Sequence, residues 1–549
     1  MGESNPTTFN GDTSESLDYD VLIIGAGLSG IYSLASMQQL GLRALVLERA
    51  TDVGGVWYWN RYPGARFDSE SYTYGFSFSQ SVLDQWHWKE HYSAQPETLQ
   101  YINFVVDELG LRPSFQFNTE VKSAHYQEQS RSWRITDTTG ATYTSRFLIN
   151  GLGPLTTPQL PNIPGVEKYS GTAYHTSRWP HHPVNFEGKR IGVIGTGATG
   201  IQVIQEVAKT AEHLFVFQRT PSWTAPMRNS VIDEKEMEEI RKDYPNIFAR
   251  CKKSPMAFQY SPDERKLLDV SPEEREAFWW DLYKRRGLVK WLGNFHDIFT
   301  GKEANDLFSA WMADRVRERV HDAVLAEKLI PLGNHGFGTR RVPLENGYYE
   351  VFNQSNVTLV DLRETPIQEV TDAGIRTAPD GDEYQLDVLI YATGFDALTG
   401  SYEQIDYRGV DGLRLSDKWE DGPKTYLGFT VPDFPNMFNI LGPHQGSGNI
   451  PRSIEYAVEW TTRCIKYCID NGFTCVAAQK EGEAEWTKHV LKCTEGQLAA
   501  KVNSWMTGYN SNKPTKTERM VVRYTGSLVE FRRRAEQVAN DGYPHITFI

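Results

Sequence analysis

The pattern G-x-G-x-x-G occurs twice in this chain, each time between a short apolar stretch and a helix-like one. The first copy, after residues 21–24, is Gly25-Ala26-Gly27-Leu28-Ser29-Gly30. The second, after residues 191–194, is Gly195-Thr196-Gly197-Ala198-Thr199-Gly200. In such a loop the first glycine permits a tight turn and the second lets backbone N–H groups approach a pyrophosphate. The third lets the helix pack closely on the strand. Two copies in 549 residues constrain the chain to an α/β fold with two Rossmann-like dinucleotide-binding units.

The units end differently. In the first, a strand over Ala44–Leu47 leads into Glu48, 23 residues after Gly25. A carboxylate there accepts hydrogen bonds from both hydroxyls of an unphosphorylated ribose, so this site reads as one for FAD or NAD. In the second, a strand over 213–217 leads to Arg219, 24 residues after Gly195, with no acid in that place. A guanidinium grips a 2′-phosphate that a carboxylate would repel, so this site reads as one for NADPH, with Thr220 adding a hydroxyl. The alternative for Arg219 is a surface charge closing a strand. A third signal is a pair of strand-then-glycine stretches, "SRFLINGLGPLTTPQLP" (145–161) and "YQLDVLIYATGFDA" (384–397). They suit crossings between two nucleotide units, although ordinary parallel-sheet core reads the same way.

The formal net charge of −13 argues against nucleic acid or anionic membrane as a partner. No run approaches the ~18 apolar residues of a membrane span, and the first nineteen residues are polar, without the apolar core of a signal peptide. Cysteines 251, 464, 468, 475 and 493 form an odd, scattered set, as in a reducing compartment, so a cytoplasmic location is expected. Cys464 and Cys468 sit one helical turn apart and read as buried thiols, not a dithiol catalyst. No metal site is assigned.

The expected organisation is an FAD-binding segment over 1–152, then a linker and first NADPH segment over 153–222. A helical insertion over 223–332 follows, then a second NADPH segment over 333–385 and a second FAD segment over 386–549. Within the insertion, "SPEEREAFWWDLYKRR" starts a helix, with Ser271 as N-cap and Pro272 in the first turn. "SPDERKLLD" from residue 261 repeats the device, and "ADRVRERVHDAVLAEKL" (313–329) reads as one further amphipathic helix. The aromatic run 278–280 reads as core.

Residues 53–78, "VGGVWYWNRYPGARFDSESYTYGFSF", add a glycine pair followed by an aromatic cluster, with none of the cysteines of a disulfide reductase. Taken with "YSGTAYHTSRWP" (169–180), "FGTRR" (337–341) and "ATGFDALTG" (392–400), the chain from about residue 18 onward resembles the type I Baeyer–Villiger monooxygenases, the cyclohexanone and phenylacetone monooxygenases among them. The family fingerprint F-x-G-x-x-x-H-x-x-x-W-P is met at Gly171, His175, Trp179 and Pro180, with Tyr169 for the phenylalanine.

That resemblance implies a fold of the two-dinucleotide flavoprotein type with a helical insertion in the NADPH domain. It also implies a tightly bound FAD and an enzyme that consumes NADPH and O2 to convert a small ketone to an ester or lactone. The implied route is a flavin C4a-peroxide stabilised by Arg341, with Asp68 pairing to that arginine. Without the resemblance these two residues, far apart in sequence, read as surface charges. The resemblance also assigns Gly55, Val56, Trp57, Asn60, Asp68, Tyr74, Val121 and Ile450 to the FAD site. It assigns Arg66, Asp68, Arg340, Arg341 and Trp505 to the NADP site, with Arg340 a second clamp on the 2′-phosphate. A monomer or weak oligomer is expected. The competing readings are an N-hydroxylating or flavin-containing heteroatom monooxygenase and a non-catalytic flavin redox sensor. His175 has no acid or nucleophile beside it in sequence and reads as a hinge residue, with direct proton transfer the alternative.

Overall fold

The strand Tyr19–Ile24 buries its last four side chains completely or nearly so, as expected of an all-apolar strand covered on both faces. It pairs in parallel with Ala44–Leu47 on one side and Thr142–Asn150 on the other, placing Val21 opposite both Ala44 and Phe147. These strands form the middle of an eight-stranded mixed sheet. The computed structural model describes residues 16–379 and 381–549, so most of the polar stretch read as lacking a signal peptide (1–15) lies outside them.

A second, five-stranded sheet is parallel throughout. Its order is Val357–Asp361, His213–Gln218, Arg190–Ile194, Val388–Tyr391 and Thr172–His175. Here the sequence expectation needs correction. The boundary drawn at 385/386 falls one strand too early, because Val388–Tyr391 hydrogen-bonds on both sides within this second sheet. An apolar strand carries no mark of which sheet it will join.

Gly25 and Gly195 adopt φ of +100° and +108°, a region that side chains rarely enter. A Cβ on Gly25 would lie 2.7 Å from the carbonyl oxygen of Gly151, and one on Gly195 would lie 2.6 Å from that of Ala392. Each glycine turn therefore sits against the end of one of the two crossing strands. Both helices that follow, Leu28–Gln39 and Ala198–Val207, begin without a side-chain cap, leaving their first N–H groups free toward the space above the sheet edge.

The insertion differs from its sequence reading in three ways. Ser271 does cap Pro272–Lys284, accepting from the Glu274 N–H at 3.2 Å. Residues 261–266, by contrast, form no helix. Asp263 turns its carboxylate onto the backbone and guanidinium of Arg265, and its own backbone joins Asn294 and His296. The single helix expected over 313–329 is two, Lys302–Arg317 and Ala323–Leu329. The Asn353 side chain captures the Arg319 carbonyl and the His321 N–H, and Asp322 caps the second helix. Finally, the insertion is shared between two cores. Met237, Ile240 and Tyr244 of the helix Glu234–Lys253 pack into the first unit's core, whereas Trp279, Phe308 and Trp311 pack into the second.

Behind the first loop, Ile450–Asp470 packs against Leu28–Gln39 and is itself covered by Leu528–Asn540. Four of the cysteines are buried and all five are unpaired. No helix among the described residues is long and apolar enough to cross a membrane.

Candidate active site

A cavity of about 1210 Å³ runs between the two glycine loops, and nearly every residue singled out from the sequence lines it. At one end are Gly25, Gly27, Leu28, Ser29 and Glu48, with Val121 beyond; at the other are Gly195 to Thr199, Arg219, Thr220 and Arg340. Between them stand Gly55, Val56, Trp57, Asn60, Arg66, Asp68, Tyr74, Arg341, Ile450 and Trp505. Gly30 and Gly200 are the exceptions and need correction as ligand contacts. A Cβ on either would meet the carbonyl oxygen of Gly25 at 1.8 Å or of Gly195 at 2.1 Å, so both serve helix packing behind the loop.

The Arg341 guanidinium donates to Oδ2 of Asp68 and joins the two ends of the cavity. Asp68 is buried at 6% exposure while the Arg341 side chain is 45% exposed, and Oδ1 of Asp68 has no partner. Burial raises the Asp68 carboxyl, and the arginine pulls it the other way. Glu48 is also buried, and its two oxygens accept the N–H groups of Ala26 at 2.7 Å and Ala50 at 2.8 Å. A carboxylate has further acceptor sites, and Glu48 presents these to the cavity. Burial raises its carboxyl too.

At the second loop the charges are unbalanced. Arg219 donates to Ser511 Oγ at 3.0 Å and Arg340 to the Asn503 carbonyl at 2.8 Å. Among the described residues neither arginine has a carboxylate partner within ion-pair distance. Burial, then the neighbouring Arg219, pulls the Arg340 guanidinium below its usual range. Arg66 is different: it lines the cavity, but its guanidinium is taken up by Glu90 at 2.8 Å and the Tyr92 carbonyl.

The aromatic wall is continuous. Trp57 donates from its ring nitrogen to the Tyr74 hydroxyl at 2.9 Å, and Phe67 stacks on Tyr74 with centroids 4.2 Å apart.

His175 lies outside the cavity lining, away from the groups that a direct proton transfer would serve. Its Nδ1 accepts from the Ser177 N–H at 3.2 Å and faces Ser177 Oγ at 2.8 Å. Nε2 faces the Thr393 hydroxyl, at the end of the strand that leaves the second sheet. Burial holds this histidine's pKa down at about 4. The hydroxyl that Tyr169 adds to the fingerprint's phenylalanine donates to the Leu386 carbonyl at 2.9 Å.

With this geometry in place, comparison with known proteins is informative. The family model for flavin-binding monooxygenase-like proteins matches residues 19–234. A 2-oxo-Δ3-4,5,5-trimethylcyclopentenylacetyl-CoA monooxygenase of Pseudomonas putida is 44% identical over 532 residues, covering 95% of this chain and 97% of the relative. A Baeyer–Villiger monooxygenase of Pseudooceanicola batsensis is 38% identical, covering 96% and 95%. The chain belongs to the type I Baeyer–Villiger monooxygenase family. A crystal structure of OTEMO complexed with FAD and NADP matches with a TM-score of 0.94 at 44% identity, covering 97% of this chain and 100% of that one. The two-sheet architecture is thus that of solved family members.

The residues of this Baeyer–Villiger family member fit both nucleotides on their own terms. Gly27 and Gly55 face each other so closely that a Cβ on Gly55 would lie 2.7 Å from the Gly27 Cα, leaving a thin backbone wall beside the uncapped helix start. A Cβ on Gly197 would enter open space over the second helix start. Two arginines without a carboxylate partner suit an anion there.

Several cavity residues went unassigned from the sequence. The segment 503–512 contributes Asn503, Tyr509, Asn510, Ser511 and Asn512 as well as Trp505; it is mostly irregular, so periodicity gave no signal. Arg178 stood in the quoted fingerprint without a role, and it lies 4.6 Å over the Trp59 ring at the cavity wall. Gln202, on the second nucleotide helix, accepts from the Tyr62 hydroxyl at 2.7 Å and donates to the Arg66 carbonyl at 2.9 Å, tying the two units together.

Proposed function

We propose that this protein binds FAD along the first glycine loop and NADPH along the second, and that it uses O2 to insert one oxygen atom beside a ketone carbonyl, giving an ester or lactone. The observation that carries this reading is the Arg341–Asp68 pair, held at the wall that both glycine loops share. FAD, when bound, supplies the reduction of O2 and the oxygen nucleophile.

The chain's own residues do the rest. Arg341 presents its charge where negative charge develops as the nucleophile adds to the carbonyl; one such contact supplies roughly 3–4 kcal/mol. Asp68 holds the guanidinium in place from its own buried position. Arg219 and Arg340 clamp the 2′-phosphate and select NADPH over NADH. Glu48 holds the ribose of the flavin nucleotide. Leu441, Ile450 and Ile454 give the cavity an apolar wall that keeps water from the reacting atoms. The trimethylcyclopentenylacetyl-CoA monooxygenase of Pseudomonas putida, 44% identical, supports a cyclic ketone as the substrate class.

Unpaired, mostly buried cysteines suit a reducing compartment, and we place the protein in the cytoplasm, acting as a monomer or weak oligomer. The test is a ketone panel followed by NADPH oxidation and by product analysis, with amine and sulfide substrates alongside. Ester or lactone formation matched to NADPH use is expected. Oxidation of heteroatoms with no ketone turnover would move the protein to the heteroatom branch.

A further inference from the structure

Four charged side chains form a closed box between two loops more than a hundred residues apart. Asp396 ends the short strand Phe395–Asp396, which pairs with Thr157–Pro158, and Glu403 lies in the turn Tyr402–Gln404. Opposite them are Lys513 and Lys516. Lys516 donates to Asp396 Oδ1 at 2.6 Å and to Thr399 Oγ1 at 2.8 Å, and lies 2.8 Å from Glu403. Lys513 donates to Asp396 Oδ2 at 2.6 Å and to Glu403. The Asp396 and Lys516 side chains are only 4% and 11% exposed. An exposed ion pair contributes little, but breaking a buried one strands a charge away from water.

The box joins two parts of the molecule that matter for nucleotide binding. On one side, Phe395 meets the His175 ring edge-on, at the junction where the chain leaves the second sheet. On the other, the two lysines close off the segment 503–512. That segment supplies Trp505, Tyr509 and Ser511 to the cavity wall, and it is the segment to which Arg219 and Arg340 bond. Its only regular structure is a single turn, Trp505–Thr507, so its position depends on what anchors it.

We propose that the Asp396–Lys516 box fixes the 503–512 strap and, through it, the two arginines, which makes Asp396 a positioning residue for NADPH binding. This rests on reading the second loop as the NADPH site. Loss of the box lets the strap move and removes the backing of both arginines. The NADP+ dissociation constant then rises about tenfold, within the usual range of coupling between linked sites. The KM for NADPH rises in parallel while kcat changes little, and FAD content stays at the wild-type level.

The experiment is calorimetric titration of FAD-loaded protein with NADP+, using wild type, Asp396→Asn, Asp396→Glu, Lys513→Met, Lys516→Met and the double variant Asp396→Asn/Lys516→Met. Weakened binding in the single variants, partial recovery in Asp396→Glu, and a double variant little weaker than Asp396→Asn support the proposal. Wild-type affinity in the variants overturns it, as does an equal loss of FAD and NADP+ binding, which marks a merely structural role. If Asp396→Asn does not fold, the half-buried Lys513→Met decides the matter by the same readout. A wild-type protein that binds no NADP+ overturns the NADPH reading instead.

Discussion

Arg341 and Asp68, 273 residues apart in sequence, meet as a hydrogen-bonded ion pair on the cavity wall between the two glycine loops. The aspartate is buried and the arginine is half-exposed; in the function proposed above the carboxylate is the fixed mount and the guanidinium the working group. Substituting the mount should therefore disturb geometry more than charge. Asp68→Ala is expected to keep its FAD and to lose about 10- to 100-fold in ketone turnover, in line with the loss of one buried, charged hydrogen bond. The variant should also release more H2O2 per NADPH. Steady-state rates with peroxide quantification check this; unchanged turnover would remove Asp68 from the site.

On the proposed reading, the paired arginines at the second loop set nucleotide choice. Arg219→Ala and Arg340→Ala should each raise the NADPH KM about tenfold or more, the value of a charge-assisted phosphate contact, while leaving NADH use nearly unchanged. Measured ratios of kcat/KM for the two nucleotides report this directly. An unaltered NADPH preference in both variants would restore the reading of Arg219 as a surface charge.

The second loop also offers a contrast between two glycines. Gly197→Ala puts a methyl group into open cavity space and should weaken NADP+ binding while leaving the melting temperature near that of wild type. Gly200→Ala puts one 2.1 Å from a backbone oxygen and should destabilise the fold by several kcal/mol, lowering soluble yield. Thermal melts with and without NADP+ separate the two effects. Equal melting temperatures would contradict the packing role given to Gly200.

His175 makes a prediction about pH. Its folded pKa is about 4, below the ordinary 6.5, so the unfolded chain binds the extra proton between those values. The stability this group contributes is therefore full above about pH 6.5 and is lost as pH falls toward 4. From pH 7 to pH 5 the loss is roughly 2 kcal/mol. His175→Asn keeps an acceptor for the Ser177 N–H but does not titrate, so its melting temperature should fall less over that interval. Identical pH dependence in the two proteins would show that the ring is not buried in its neutral form. If the residue couples nucleotide binding to domain movement, His175→Ala should also make more H2O2 per NADPH while retaining flavin.

What could be read from the sequence follows from how local each constraint is. The turns at Gly25 and Gly195 were legible because a positive φ and a close carbonyl are demands that only glycine meets, whatever the rest of the chain does. Ser271 was legible because an N-cap is equally local, its hydroxyl needing only the Glu274 N–H three residues on. "SPDERKLLD" carries the same local pattern and fails, because Asp263 finds Arg265 and the 294–296 backbone instead of a helix. The break before Asp322 was hidden because the group that opens it, Asn353, lies more than thirty residues on. The pairing of Asp68 with Arg341 rested on family resemblance alone, since no local pattern links them. The strap 503–512 is positioned by side chains distant in sequence and had only Trp505 to mark it.

The most direct test uses a cyclic ketone, NADPH and 18O2, and counts labelled ester or lactone per NADPH consumed by wild type and Arg341→Ala. The expected result is close to one labelled product per NADPH for wild type. For the variant, which retains FAD and still oxidises NADPH, it is H2O2 with almost no labelled product. A variant that still forms labelled lactone at the wild-type ratio would contradict the assignment of oxygen insertion to Arg341.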